Sequence, residues 1–386
     1  MKHYFCVGSY NAPILFGTGE VFHGKGKGLS IGVFEDGKIS LLASVPIPNP
    51  SYLCIDKRWQ RIYAVNELKE FQGKFGGGVT ELSFQETGKG EMELNVIRSL
   101  CTGGADPCHI TVSENRDYLL IANYASGSLT AFSLDKNGHI LPEGKVFQHS
   151  GHGPNPGRQS SPHAHSTVCC GKDKLLSVDL GTDRLWAYRI GKDGLMPEGE
   201  NSISVSPGSG PRLGEFSPDG RHFYLVNELS ASVTHFQVTE NGQFTERETV
   251  PGVPGNAMMP GVPGIAVTPG VPGNAILPGT GIGKRANYDC ADLHIHPSGR
   301  FLFLSIRGLN GISSFQIGNE GELHWMETVS CQGKTPRNFA FDPEGRYLLA
   351  ANQDSDAIAV FSVGERGGLT FNHKVEIGAP VCVRFF

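Results

Sequence analysis

The chain has 386 residues, of which 18% are charged, and a formal net charge of −5. This balance argues against generic nucleic-acid binding, and no apolar stretch is long enough for a signal peptide or a membrane span. Nine cysteines, an odd number at irregular spacing, favour reduced thiols, so we expect a cytoplasmic protein. Many glycines and prolines, and the lack of any apolar stripe of helical period, indicate an all-β chain.

One sequence unit recurs along the chain. A segment usually led by proline is followed by a turn, by an aromatic and aliphatic strand that often ends at asparagine, and by two further strands. The leading positions are Pro50, Pro107, Pro162, Pro211, Ala291, Pro336 and Pro380. Seven such positions, each about one four-stranded sheet apart, predict a seven-bladed β-propeller.

The fourth step between leading positions is longer than the others because it contains residues 251–282. That tract repeats nine residues beginning Pro-Gly-Val-Pro-Gly, a composition unsuited to a β-ladder. We expect a single domain over 1–386 that carries 251–282 as an inserted surface loop. A functional lid is the alternative interpretation of the tract.

The two ends of the chain predict how the ring closes. Segments 4–8, 29–34 and 39–43 have the pattern of second, third and fourth strands, and 380–384 has that of a first strand. One blade would then be assembled from both termini, which removes an open sheet edge. Two sandwich domains, the rival all-β arrangement, would not explain the even spacing or the half-units.

A polar stretch at 157–166 contains an arginine, a glutamine and two histidines. If a strand begins at Pro162, its period of two places His163 and His165 on one face. A polar turn with exposed histidines is the alternative.

Other polar residues fall at matching positions of the repeats. Asn66, Asn123, Asn227 and Asn352 end second strands, where we expect them to tie turns. First strands should line the central channel, where we expect two arginines, a glutamate and the histidine pair to meet. Singly, each charge could instead be structural, as a carbonyl cap, a rim ion pair or a solvated loop charge.

These segments together resemble the seven-bladed β-propeller lactonases, a family that includes the propeller-type 6-phosphogluconolactonases and the fungal carboxy-cis,cis-muconate lactonizing enzymes. The resemblance covers essentially the whole chain outside 251–282. It is carried by 153–155, Arg158-Gln-Ser-Ser-Pro-His-Ala-His-Ser166, 179–184, Gly210-Pro-Arg212, Val226-Asn-Glu-Leu-Ser230, 291–295 and Arg307-Gly308.

The resemblance implies a catalytic site formed by His163 or His165 with Arg212, Glu228 and Arg307. The further candidates for substrate contact are Arg158, Gln159, His109 and His294. The chain departs from the family pattern at Leu213, where the family often has histidine, and at Ile306, where it has asparagine. These differences concern substrate contacts more than the fold.

The implied activity is hydrolysis of a sugar lactone, first of all 6-phospho-D-glucono-1,5-lactone to 6-phosphogluconate in the pentose phosphate pathway. Arg212 and Arg307 suit an anionic group and a developing oxyanion, since guanidinium binds such groups in a fork. Glu228, with a pKa raised by desolvation, or His165 could take the proton from water.

Three alternatives stay open. The same groups could run a muconate-type cycloisomerisation, in which a substrate carboxylate adds to a double bond. The pairs His163/His165 and His294/His296 could chelate zinc or manganese, but no carboxylate at fixed spacing accompanies them, and we expect no metal or cofactor. A non-catalytic binding module is the third.

The expected partner is a small anionic sugar lactone or carboxylic acid, with no nucleic acid or membrane, and the expected state is a monomer or weak homodimer.

Overall fold

The computed structural model describes residues 1–16, 19–88, 91–192, 194–253, 274–276 and 285–386. Most of the predicted insertion at 251–282 lies outside the described residues, and the single-domain organisation stays a prediction. No helix in the described ranges is long and apolar enough to cross a membrane.

Contacts divide the chain into two compact units: unit 1 is Met1–Gly208 with Gly378–Phe386, and unit 2 is Ser209–Ile377.

Unit 1 contains four antiparallel sheets, numbered here in chain order and written from first strand to fourth. Sheet 1 is Pro380–Phe385, Lys2–Ser9, Leu29–Glu35 and Lys38–Val45. Sheet 2 is Leu53–Asp56, Arg61–Asn66, Gly78–Glu86 and Met92–Cys101. Sheet 3 is Pro107–Val112, Tyr118–Asn123, Ser128–Leu134 and Ile140–Gln148. Sheet 4 is Ala164–Cys169, Lys174–Asp179, Arg184–Gly191 and Gly194–Pro197, with Ile203–Ser204 paired to its third strand.

Unit 2 contains three more sheets of the same order. Sheet 5 is Pro211–Phe216, His222–Asn227, Ser232–Val238 and Phe244–Pro251. Sheet 6 is Asp289–Ile295, Phe301–Arg307, Gly311–Ile317 and Leu323–Ser330. Sheet 7 is Pro336–Phe341, Tyr347–Asn352, Ala357–Val363 and Leu369–Glu376.

The remaining described elements are short. Two-stranded ribbons are formed by Pro13–Leu15 with Val21–His23, Glu70–Phe71 with Lys74–Phe75, and Asn274–Ile276 with Arg285–Asn287. Single 3-10 turns lie at Gly199–Asn201 and Gln353–Ser355. The described chain is therefore all-β with seven main sheets, as the repeats predict.

Sheet 1 is closed by both ends of the chain. Pro380–Phe385 pairs antiparallel with Lys2–Ser9, and Phe5 lies opposite Phe385. This confirms the prediction that the C-terminal strand completes a sheet begun by the N-terminal strands. The pairing also covers the backbone edge that Lys2–Ser9 would otherwise expose.

Burial differs across each sheet. All six residues of the second strand Tyr118–Asn123 are buried, whereas the fourth strand Ile140–Gln148 is mostly exposed. Continuous aliphatic runs are typical of strands covered on both faces. Within unit 1, one buried cluster joins Tyr63 and Val65 of sheet 2 to Leu119 of sheet 3, so neighbouring sheets share their cores.

Of the four asparagines predicted to tie turns, two bond to the third strand of their own sheet, whereas Asn66 donates to the Pro48 carbonyl and Asn352 to the Cys331 carbonyl. The Asn123 side-chain amide donates to the Ser128 carbonyl at 3.2 Å and to Thr130 Oγ1 at 2.9 Å. Asn227 repeats this bond with Thr234 Oγ1 at 2.9 Å. These buried bonds fix the connection to the third strand and leave the following residue to vary.

First strands share an irregularity that positions side chains. In six of the seven sheets the pairing between first and second strands shifts by one residue near the start of the first strand. The extra residues are Val381, Cys108, His165, Arg212, one of Ala291 and Asp292, and Arg337. A β-bulge of this kind re-aims the side chain of the extra residue.

A buried carboxylate joins sheets 2 and 3 within unit 1. Glu81 is fully buried and lies 3.3 Å from Arg61 Nε, 3.4 Å from Arg98 Nε and 2.7 Å from His139 Nδ1. Its second oxygen accepts the Ile140 backbone N–H at 3.1 Å, at the start of the next sheet's fourth strand. The carboxylate therefore locks one sheet to the edge of its neighbour.

Replacing Glu81 with alanine should lower the free energy of unfolding by about 3–5 kcal/mol, because it removes a fully buried carboxylate from two partly buried arginines and from the Ile140 N–H. The matched control is Glu86→Ala on the same strand, whose exposed carboxylate contacts Lys2 and Tyr4 and should cost less than about 1 kcal/mol. Urea unfolding followed by circular dichroism measures both. Equal losses in the two variants would contradict the role given to Glu81.

Candidate active site

Two arginines share one carboxylate oxygen in unit 2. Arg212 is the bulged residue of sheet 5, Glu228 directly follows its second strand, and Arg307 ends the second strand of sheet 6. Arg212 Nε donates to Glu228 Oε2 at 3.0 Å, and Arg307 Nη2 lies 2.9 Å from the same oxygen. The sequence-predicted trio is therefore brought together, with one more positive charge than negative.

Arg212 is held in an environment that is poor in water. It is 7% exposed, and its Nη1 donates to the Ala291 carbonyl. Burial lowers the pKa of Arg212 below its ordinary value, and the charges of Arg307 and Arg337 act in the same direction. Glu228 opposes this effect. Cations that lie close together and are partly desolvated are stabilised most by a bound anion.

Glu228 is itself 2% exposed. Two guanidinium groups on one oxygen favour the ionised carboxylate, whereas burial favours the neutral acid. The contacts therefore give Glu228 a second role that the sequence does not show, which is to orient both arginines.

His294 lies between two carboxylates of the same unit. Its Nδ1 is 2.8 Å from Glu215 Oε2, and its Nε2 is 3.2 Å from Asp292 Oδ2. Burial opposes a charge on the ring, but Asp292 and Glu215 outweigh it and raise the pKa of His294 to about 9. Both ring nitrogens are thus engaged, and a substrate contact by His294 stays a prediction.

Asp292 is anchored in turn. Its Oδ2 accepts the Asn338 side-chain amide at 2.5 Å and the Phe339 backbone N–H at 3.1 Å, both from sheet 7. Its own N–H donates to Ser305 Oγ at 3.0 Å. The chain Glu215, His294, Asp292 and Asn338 therefore links sheets 5, 6 and 7.

In unit 1 both predicted histidines contact one tyrosine. The ring of Tyr124 stacks on His163 with centroids 4.5 Å apart and an interplanar angle of 13°, and meets His165 edge-on at 5.3 Å. The strand begins at Ala164, one residue later than the first histidine, and His165 is its bulged residue. The two imidazoles thus lie beside the same ring.

A buried network fixes the backbone next to these histidines. Asp179 Oδ1 accepts the His163 N–H at 2.9 Å and the Thr182 N–H at 3.0 Å. Its other oxygen is 2.6 Å from His149 Nδ1, and His149 Nε2 is 3.0 Å from the Tyr188 hydroxyl. Both Asp179 and the His149 ring are buried, so this network holds the segment rather than meeting a ligand.

The polar stretch before the strand divides into two kinds of residue. Arg158 is half-buried, and its Nη2 donates to the Tyr124 hydroxyl at 3.3 Å. Gln159 is fully buried and donates to the Leu180 carbonyl and to Asp183 Oδ1, each at 2.8 Å. The bonds of Gln159 shape the loop, and its contact with substrate stays a prediction.

His109 packs beside the first strand of the next sheet. Its Nδ1 accepts the Thr167 N–H at 3.3 Å and lies 3.2 Å from Thr167 Oγ1, and its ring contacts Tyr52 at 4.2 Å. His109 is 6% exposed. These are the contacts of a packed histidine, so its predicted substrate contact also stays a prediction.

The predicted residues therefore fall into two groups. Arg212, Glu228 and Arg307 form one cluster in unit 2, and His163, His165 and Arg158 surround Tyr124 in unit 1. The sequence-based site omitted Tyr124, Asp292 and Arg337. Their signal is positional, because Tyr124 follows an end-of-strand asparagine and Arg337 matches Arg212 in its sheet.

The second histidine pair is not arranged as a chelate. Both nitrogens of His294 face carboxylates, whereas His296 Nδ1 is 2.8 Å from Ser298 Oγ and its Nε2 donates to the Gly345 carbonyl at 2.7 Å. The two rings are thus committed to different partners. The geometry gives the metal alternative no support at this pair.

Comparison with known proteins identifies the family to which the chain is similar. The model of a family described as "Lactonase, 7-bladed beta-propeller" matches residues 5–385. The description agrees with the seven sheets, and it confirms both the predicted seven-bladed propeller and the family resemblance.

Named relatives are similar over most of their length. A Bacillus subtilis protein named 6-phosphogluconolactonase is 30% identical over 342 residues, which cover 87% of this chain and 87% of the relative. One of the same name from Formosa agariphila is 30% identical over 354 residues, covering 88% and 90%. The solved structure of a Pseudomonas aeruginosa periplasmic gluconolactonase is 28% identical with a TM-score of 0.82, covering 100% of this chain and 99% of that one.

The two carboxylates beside His294 predict a pH-dependent stability. Because folding raises the pKa of this histidine to about 9, its contribution is complete below the unfolded value near 6.5 and is lost as the pH rises through 9. From pH 6 to pH 10, wild-type protein should lose about 2–3 kcal/mol more unfolding free energy than His294→Gln. Urea unfolding at each pH measures the difference, and parallel curves would contradict the charged imidazolium.

Proposed function

The chain belongs to the seven-bladed β-propeller lactonase family, and we propose that it hydrolyses 6-phospho-D-glucono-1,5-lactone to 6-phosphogluconate. The family and the named relatives support a lactone substrate. The phosphorylated sugar acid is the finer proposal, and it would place the enzyme in the pentose phosphate pathway.

The observation that carries the proposal is the pair of guanidinium groups on one oxygen of Glu228. A carboxylate that holds two arginines fixes their planes before a ligand arrives. Preorganised guanidinium groups bind carboxylate, phosphate or a developing oxyanion strongly, because no reorganisation is needed. Arg212 and Arg307 are therefore proposed to hold the anionic substrate and to stabilise its tetrahedral oxyanion.

Hydrolysis of the lactone needs one proton transfer in each direction. The oxygen of a water molecule bonds to the lactone carbonyl carbon as a base takes its proton, and the carbonyl oxygen becomes the oxyanion. The bond from that carbon to the ring oxygen then breaks, and the ring oxygen receives a proton. His163, His165 or Glu228 is proposed as the base, and a histidine is the simpler choice because Glu228 already binds two arginines.

The proposed substrate contacts differ in their support. Arg158 is half-buried, and its charge suits a phosphate. Gln159, His109 and His294 already bond to protein atoms, so they are proposed to contribute by shaping the site. No observation favours the muconate-type cycloisomerase or the non-catalytic binding module over the lactonase.

Location and assembly are also proposed. All nine cysteines are free thiols, which supports a reducing, cytoplasmic compartment, although one structural neighbour is a periplasmic gluconolactonase. A monomer or weak homodimer that acts on a small anion stays the expected state.

Replacing Arg307 with alanine should lower kcat/KM for 6-phosphogluconolactone by about 100-fold, since one donor to the anion is lost. Arg212→Ala should abolish turnover while the circular dichroism spectrum is kept. Arg221→Ala is the control, because Arg221 is an exposed arginine of the same unit that pairs with Asp219; it should change kcat/KM by less than about twofold.

The assay should include glucono-1,5-lactone and muconate-type acids beside the phosphorylated lactone. We expect hydrolysis of lactones with a preference for the phosphorylated one, and no cyclisation of muconates. Wild-type activity in Arg212→Ala would remove that arginine from the site, and turnover of muconates alone would overturn the lactonase assignment.

A further inference from the structure

Three residues of the predicted site contact Tyr124, a residue that the sequence-based site did not include. His163 stacks on its ring, His165 meets its edge, and Arg158 bonds to its hydroxyl. We propose that Tyr124 is a positioning residue that makes His163, rather than His165, the proton acceptor of hydrolysis. This inference rests on the proposed lactonase function, and the contacts from which it is argued all lie in unit 1.

The first argument is the tautomer of His163. Its Nδ1 lies 3.0 Å from the backbone carbonyl of Tyr124. A carbonyl oxygen only accepts, so Nδ1 must carry the hydrogen in the neutral ring. The lone pair is then on Nε2, the nitrogen that a general base needs. Tyr124 therefore decides, through its main chain, which nitrogen of His163 can take a proton.

The second argument is the orientation of the ring. Parallel stacking at 4.5 Å holds the imidazole plane against the phenol face, and Asp179 Oδ1 fixes the His163 backbone. The ring is thus held from its face, from its Nδ1 edge and from its main chain. When Nε2 takes a proton, the positive ring lies over a π-face, which attracts cations.

His165 is placed differently. It is 8% exposed, its Nδ1 is 3.7 Å from Cys108 Sγ, and its carbonyl accepts from the same thiol at 3.4 Å. His163 is only partly buried. His163 is therefore the more exposed of the two residues, which favours it as the base.

The Tyr124 hydroxyl adds a separate function. It accepts from Arg158 Nη2 at 3.3 Å and so restrains a cation that we propose to contact the substrate. The ring and the hydroxyl of Tyr124 can therefore be tested separately. Loss of the hydroxyl should affect binding, and loss of the ring should affect proton transfer.

His163 is proposed to transfer one proton in each direction during hydrolysis. His163 Nε2 takes a proton from water while the water oxygen bonds to the lactone carbonyl carbon. The imidazolium then gives that proton to the ring oxygen as the carbon–oxygen bond breaks, which restores the neutral ring.

A direct test uses histidine side-chain nitrogen resonances of ¹⁵N-labelled protein, with His163 assigned by its absence in His163→Gln. In wild type and in Tyr124→Phe, the neutral ring should show a protonated Nδ1 and a lone-pair Nε2. Tyr124→Leu removes the ring but keeps the main-chain carbonyl, so its neutral His163 ring should show the same tautomer. A wild-type ring protonated on Nε2 would overturn the proposal.

Kinetics of the same variants separate the two functions. Tyr124→Phe should leave kcat within about twofold and raise KM about three- to tenfold, because only the Arg158 bond is lost. Tyr124→Leu should lower kcat at least about tenfold. The control is Tyr118→Phe in sheet 3, which removes a hydroxyl bond to the Gly191 carbonyl of sheet 4 and should leave both constants within about twofold.

Unchanged kcat in Tyr124→Leu would overturn the proposal, because the stacked ring would then have no effect on proton transfer. Thermal unfolding of each variant separates misfolding from a local effect, and the wild-type tautomer of His163 still tests the proposal if Tyr124→Leu unfolds. If wild type hydrolyses no lactone, the proposed function fails and the base role with it, whereas the resonances still decide whether Tyr124 sets the tautomer.

Discussion

A one-residue irregularity in the first strand of a sheet is the constraint on which the candidate site depends. In a regular strand, alternate side chains point to opposite faces, and polar residues there would have to enter the packed layers between sheets. The bulge turns one residue out of that alternation. Because the same position is irregular in six sheets, the repeat offers a set of equivalent places for chemistry, and His165, Arg212 and Arg337 occupy three of them.

Three buried carboxylates of this protein each contact several partners. Glu81, Glu228 and Asp292 each bind at least two partners, and Glu81 and Asp292 also accept a backbone N–H from a neighbouring sheet. A buried carboxylate with one partner would be costly, and several good contacts offset its desolvation. A buried carboxylate with several partners thus joins two sheets at Glu81 and holds two arginines together at Glu228.

The sequence predicted the fold well because repetition is a strong signal. Seven repeated units and the half-units at both ends correspond to observed sheets, including the strand Pro380–Phe385, and two of the four predicted asparagines tie turns. The candidate site was harder to predict than the fold, because residue type does not show which polar atoms already have hydrogen-bond partners in the protein. Gln159 and His109 look like ligands in the sequence, yet their side chains bond to protein atoms. Tyr124 looks like a packing residue, and its importance comes from a carbonyl direction and a ring angle that no residue pattern specifies.

The pairing of Pro380–Phe385 with Lys2–Ser9 has a consequence for biosynthesis. Lys2–Ser9 can pair early with Leu29–Glu35, but its other edge stays open until Pro380–Phe385, more than 300 residues later, has been made. Contacts between such distant segments form slowly, and unpaired strand edges invite association between chains. We therefore expect sheet 1 to be the last of the seven sheets to mature, and the nascent chain to depend on chaperone protection until Pro380–Phe385 can pair.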